Sequence, residues 1–271
     1  MNRHRPRWSA TLLLAALGFW LAGCTTIRDL HPRFKEQSAA IRGLTLCTDV
    51  LILEDVKGPV PLVDIPRLTT LAESVNRFFQ AELAKRNYAV VSADHTSIGL
   101  RYATAVTPQM KVRTAGQSPE IPLADLSTAT APFFVSPAYS ELEPQSNLQN
   151  AFEDMWRHQP KAGTPNPTSR HVRALGPVAG ATHRMLILIE GVQVPVGKGL
   201  GQALTTGLLT LGTVTAFEMT TVKFRVGIAE IATGEFIFIS DCGLAGGWKV
   251  DETYLRRQAS LFFTQLDHLR K

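Results

Sequence analysis

Along residues 66–86 the apolar positions Leu68, Leu71, Val75, Phe78, Phe79 and Leu83 fall 3, 4, 3, 1 and 4 residues apart, a single stripe on an amphipathic helix. Asp64 is placed to cap that helix, Pro66 suits its first turn, and Asn87 suits the left-handed position after its end. Glu73 with Arg77 and Glu82 with Arg86 form i,i+4 pairs on the polar side. Before it, residues 43–56 (GLTLCTDVLILEDV) are apolar almost without alternation, which predicts a strand covered on both faces. A short strand follows at 88–91, so strand, helix and strand make one α/β unit.

Further along, HRMLILIEGVQV (183–194) reads as another buried strand. In TTVKFRVGIAEIATGEFIFISDC, Val222, Phe224, Val226 and Ile228 alternate with Lys223, Arg225, Gly227 and Ala229, and Thr233-Gly234 fits a hairpin turn. Leu255, Ala259, Phe262, Leu266 and Leu269 are spaced 4, 3, 4 and 3 in a closing helix over 251–269. Residues 168–180 predict a short helix that stops at Gly176-Pro177. The order of elements favours α/β: one mixed-sheet α/β sandwich, with no internal repeat.

Two stretches interrupt that pattern. Residues 104–167 carry nine prolines in a Ser/Thr/Ala-rich context and predict a long excursion with one helix, at 147–158. Phe133-Phe134 and Met155-Trp156 are expected to pin it to the body. Residues 197–217 hold five Gly and five Thr. A G-x-G-x-x-G would need glycine where Gln202 stands, and a P-loop would need Ser or Thr where Gly199 stands, so phosphate binding there is not supported. A membrane β-hairpin barely fits the length. A packing or self-association loop is preferred, beside a plain surface turn and helix.

The amino terminus has its own pattern. Arg3, Arg5 and Arg7 precede residues 9–22, an uncharged run too short for a spanning helix, and small residues follow. That is the layout of a signal peptide. Leu21-Ala22-Gly23-Cys24 resembles the bacterial lipobox. The resemblance implies cleavage before Cys24, a diacylglyceryl thioether and an acylated amine on that residue, and anchoring by several chains. Thr25, rather than Asp, follows the cysteine, so the resemblance favours the outer membrane, with the chain facing the periplasm. The expected organisation is a signal peptide at 1–23, a lipid-proximal tether at 24–42 and an α/β domain at 43–271.

Charge and cysteine usage then narrow the picture. The net charge of +5 falls to +2 once the three leader arginines are removed, and scattered Lys and Arg at +2 are a poor footprint for nucleic acid. Of three cysteines, Cys24 is assigned to lipid. Cys47 and Cys242 both sit in predicted strands and are a possible disulfide; the alternative is two small buried apolar side chains.

The lipobox, the helix ending AELAKRNYAVV, the aGA…MLILIEG stretch and the hairpin with Ala232-Thr233-Gly234-Glu235 resemble the periplasmic lipoprotein superfamily that contains the curli-secretion lipoprotein and the TolB amino-terminal domain. The resemblance spans about two-thirds of the mature chain and departs at 104–167 and 197–217. It implies the same α/β layout. Some relatives build a barrel from hairpins, which keeps a membrane role for 197–217 open.

Catalytic and metal signatures are missing. There is no G-x-S-x-G, H-E-x-x-H or C-x-x-C, and the seven histidines show no ligand spacing, so no metal or cofactor is expected. Asp94-His95 reads as a turn pair and Glu190 as a solvent charge at a strand end. The expected function is a membrane-anchored, non-catalytic interaction or assembly module of an envelope or export complex. Its expected partners are the bilayer, through acylated Cys24, and an envelope protein or a second copy of itself. The alternative is a periplasmic small-molecule binder or transport accessory.

Overall fold

The computed structural model describes residues 34–54, 60–103, 108–158, 167–193, 221–241, 244–245 and 250–270. At its centre lies β1 (Leu44–Glu54), whose first nine residues are all buried. It runs parallel to β3 (Val90–Ile98) on one side and, over its full length, to β7 (His183–Gln193) on the other. β8 (Thr221–Glu230) pairs antiparallel with β7, and β9 (Phe236–Asp241) pairs antiparallel with β8. The order β3-β1-β7-β8-β9 is the body of an open mixed sheet of ten strands among the described residues.

The remaining strands are short and peripheral. β2 (Leu62–Asp64) joins β1 at Glu54, and β4 (Met110–Arg113) and β5 (Ser127–Ala129) extend that edge. β6 (Phe134–Val135) lies against β3, and β10 (Leu244–Ala245) against the start of β8. The Pro-rich stretch thus contributes three strands besides a helix.

Helices cover both faces, so the fold is the α/β sandwich that the periodicity implies. On one face α1 (Phe34–Ala39), α2 (Ile65–Lys85) and α5 (Glu252–Arg270) enclose the larger core. Phe79 of α2 is its hub, with ring centroids 6.2 Å from Phe224, 5.5 Å from Phe262 and 5.0 Å from Phe263. The predicted caps are in place: Asp64 accepts from Arg67 N at 3.1 Å, and Asn87 has φ 62°. Phe34 is 2% exposed, and its ring lies 5.5 Å from Phe238. From Phe34 onward, therefore, the chain is docked on the sheet rather than extended as a tether.

On the opposite face α3 (Leu142–Arg157) and α4 (Arg170–Ala174) close a second core with Leu186, Leu188, Phe236 and Ile239. Gly227 lets α3 come close: a Cβ there would lie 2.6 Å from Met155 Sδ and 2.9 Å from Phe236. The face of β8 carrying Arg225, Gly227 and Ala229, polar or small in sequence, is buried as well as the apolar one. The hairpin turns at Gly234, φ 75°, which approaches Ser169 so closely that a Cβ would stand 2.1 Å from its carbonyl oxygen.

Candidate functional site: a charged row beneath α3 and α4

Paired residues on adjacent strands point to the same side of a sheet. The register Ser97–Asp49–Leu188–Arg225–Asp241 therefore sets two carboxylates and a guanidinium in one row under α3. Glu190 lies two residues beyond Leu188 on the same face, and Arg184 lies four residues before it.

Each charge in this face meets a complementary group. Asp49 is fully buried and accepts three hydrogen bonds at 2.9 Å, from Ser97 Oγ, Leu100 N and Arg101 N. It therefore caps the 3-10 turn Arg101–Ala103 with negative charge. Arg225 does the converse. It donates to the carbonyls of Met155 at 2.9 Å, Trp156 at 2.6 Å and His158 at 3.1 Å, filling the end of α3, and forks onto Asp241. Arg184, 1% exposed, donates to Val172 O at 3.0 Å and Gly176 O at 3.4 Å at the end of α4.

Arg101 joins the parts. It forks onto Glu190, with Nε at 2.7 Å, and donates to Glu153 of α3 at 2.8 Å. These side chains are 12–15% exposed. Trp156 is the platform: the Arg101 guanidinium carbon lies 4.4 Å from its ring centre, Lys223 Nζ 4.6 Å and the Arg225 guanidinium carbon 5.3 Å. Burial pushes Asp49 and Glu190 above their ordinary values despite their donors. Burial also pushes Glu153 upward, but the hydrogen bonds from Arg101 and Arg157 outweigh it and hold this carboxyl low.

The sequence-derived candidates are distributed differently. Cys24 and Cys242 lie outside the described residues, as does 197–217. Cys47 is a fully buried free thiol, 3.7 Å from Tyr139 Oη, and burial raises its pKa, which makes it an inert part of the second core. Asp94 and His95 belong to β3 rather than to a turn. Glu190 is paired with Arg101 instead of standing in solvent. Met155 and Phe133 do pin the excursion, Trp156 packs on the second core, and Phe134 is 39% exposed.

The residues that organise this region do leave a signal in the sequence. Asp49, Arg184 and Arg225 are charges set inside apolar strand runs, where burial demands a partner. Among the described residues no cluster of His, Cys, Asp or Glu could hold a metal ion, and no helix is long and apolar enough to cross a membrane. No protein-family model, characterised protein or solved structure matches the chain.

Proposed function

We propose that this chain is a bacterial outer-membrane lipoprotein, anchored through acylated Cys24, whose α/β body faces the periplasm and serves as a non-catalytic interaction or assembly module. The observation that carries the anchor is Leu21-Ala22-Gly23-Cys24 after a short uncharged run with a basic lead. The geometry supports a scaffold role for the body. Asp49, Arg184 and Arg225 are spent on turn and helix ends, and Arg101 is spent on two carboxylates. Groups locked in this way fix where α3 and α4 sit on the sheet, and a reacting acid or base would need to be free to exchange its proton.

The body would be held near the membrane by a short lead, since Phe34 is already in the core ten residues after Cys24. Ten extended residues reach at most about 35 Å. Mass spectrometry of the exported protein should show three acyl chains on an amino-terminal Cys24. Cys24→Ala should leave the membrane fraction while keeping the wild-type circular dichroism and unfolding midpoint. An unmodified residue 24, or a variant that stays membrane-bound, would overturn the reading.

A further inference from the structure

On the outer side of α4 a shallow, open depression of about 370 Å³ is lined by Asn147, Arg170, His171, Arg173 and Ala174. Its ionisable lining is entirely basic. His171 is held between two neighbours: its Nδ1 is 3.2 Å from Asn147 Oδ1, and its Nε2 accepts from Arg170 Nε at 3.3 Å. The Arg173 side chain has no ion pair or hydrogen bond among the described residues.

The carbonyls of Val172 and Gly176, which would ordinarily attract nearby cations, already receive Arg184 from below. Asp154 of α3 accepts from Ser169 Oγ at 2.6 Å, and Ser169 in turn caps α4 through Val172 N. So α4 is fixed at both ends by buried groups, and two guanidiniums line one hollow whose lining holds no carboxylate. A guanidinium fork matches the oxygens of a phosphate group, and two guanidiniums beside a side-chain amide match more than one oxygen at a time.

We propose that the Arg170–His171–Arg173 hollow is a binding site for a phosphate group, on a small soluble anion or on a phospholipid headgroup. This assignment stands apart from the anchor: it requires only that α4 be folded as described.

His171 reports occupancy directly. Full-length protein in neutral detergent would be treated with diethyl pyrocarbonate, with carbethoxylation of each histidine followed by peptide mass spectrometry. Inorganic phosphate should slow modification of His171 by about threefold, the slowing at two-thirds occupancy. Sodium chloride at equal ionic strength should not, which separates binding from screening. The other histidines serve as internal controls. The same measurement in phosphatidylcholine discs, with and without phosphatidylglycerol, distinguishes the source. Protection by inorganic phosphate marks a soluble ligand, and protection confined to the phosphatidylglycerol discs marks a headgroup. Arg170→Gln/Arg173→Gln changes exposed side chains only and should abolish protection in either case. The proposal fails if His171 reacts equally in every condition, if chloride protects as well as phosphate, or if the double variant is still protected.

Discussion

Arg101 is the residue on which the second face depends. Its guanidinium meets Glu190 from β7, Glu153 from α3 and the Trp156 ring, while its backbone N–H caps onto Asp49 of β1. Removing the cation leaves three carboxylates close together, with Asp49 and Glu190 already raised by burial. Arg101→Met should therefore cost about 3 kcal/mol at pH 7, the low end for breaking a buried pair. The sign of its pH dependence follows from the shifts. In the variant Glu190 and Glu153 lose their partner and their folded pKa values rise, so the variant loses stability as pH rises through that range. Below the ordinary glutamate value of 4.5 both carboxyls of the variant are protonated folded or unfolded, whereas wild-type Glu153 is held lower by its arginines, so the gap to wild type narrows below 4.5 and closes only below that lowered value. Urea unfolding at pH 4 and pH 7 measures both points. A deficit of equal size at the two values would show that the loss is one of packing. The partners of Arg101 could not be read from the chain, because they come from positions 49, 153 and 190 and meet only once the sheet and α3 have assembled.

At the scale of elements, α3 sits where it does because β8 has no side chain at 227. Gly227→Ala would bring a methyl group to 2.6 Å from Met155 Sδ, and overpacking of this kind costs typically 1–3 kcal/mol. Combining it with Met155→Ala should recover part of that loss relative to the sum of the single effects, since the second change opens the space the first needs. Strictly additive unfolding energies would mean that the two positions do not meet. α2 and β1 were legible because each keeps one periodicity: the stripe and the apolar run return within a residue or two of their expected ends, whereas β3, expected at 88–91, runs over Val90–Ile98. What escaped were elements too short to show a period. β2, β4, β5 and β6 have two to four residues, and their pairing is set by the sheet edge they reach. α1 escaped for a related reason: six residues carry one apolar anchor, Phe34, and the partner ring at Phe238 is some two hundred positions away.

Across the molecule, stability should be graded outward from β1 and β7. These strands pair parallel over eleven residues, with both faces covered and the larger aromatic core against one of them. Their amides have no route to solvent short of unfolding the domain. β5 and β6, at the rim, pair over three and two residues and contain exposed side chains. They can open by breaking a few hydrogen bonds with little apolar surface released, and such segments exchange by local opening at a small fraction of the global free energy. Native-state hydrogen exchange should therefore place Leu46–Ile52 and Met185–Ile189 in the slowest class, with exchange free energies equal to that from urea unfolding, and Ser127–Val135 in the fastest. Arg101→Met gives the decisive comparison, because it weakens the attachment of α3 without touching the aromatic core on the other face. If the two faces are energetically separate, α3 amides should lose protection while β1 amides change by no more than the global deficit. If β1 loses as much protection as α3, the charged row and the aromatic core fold as one unit, and α3 cannot detach while the sheet survives.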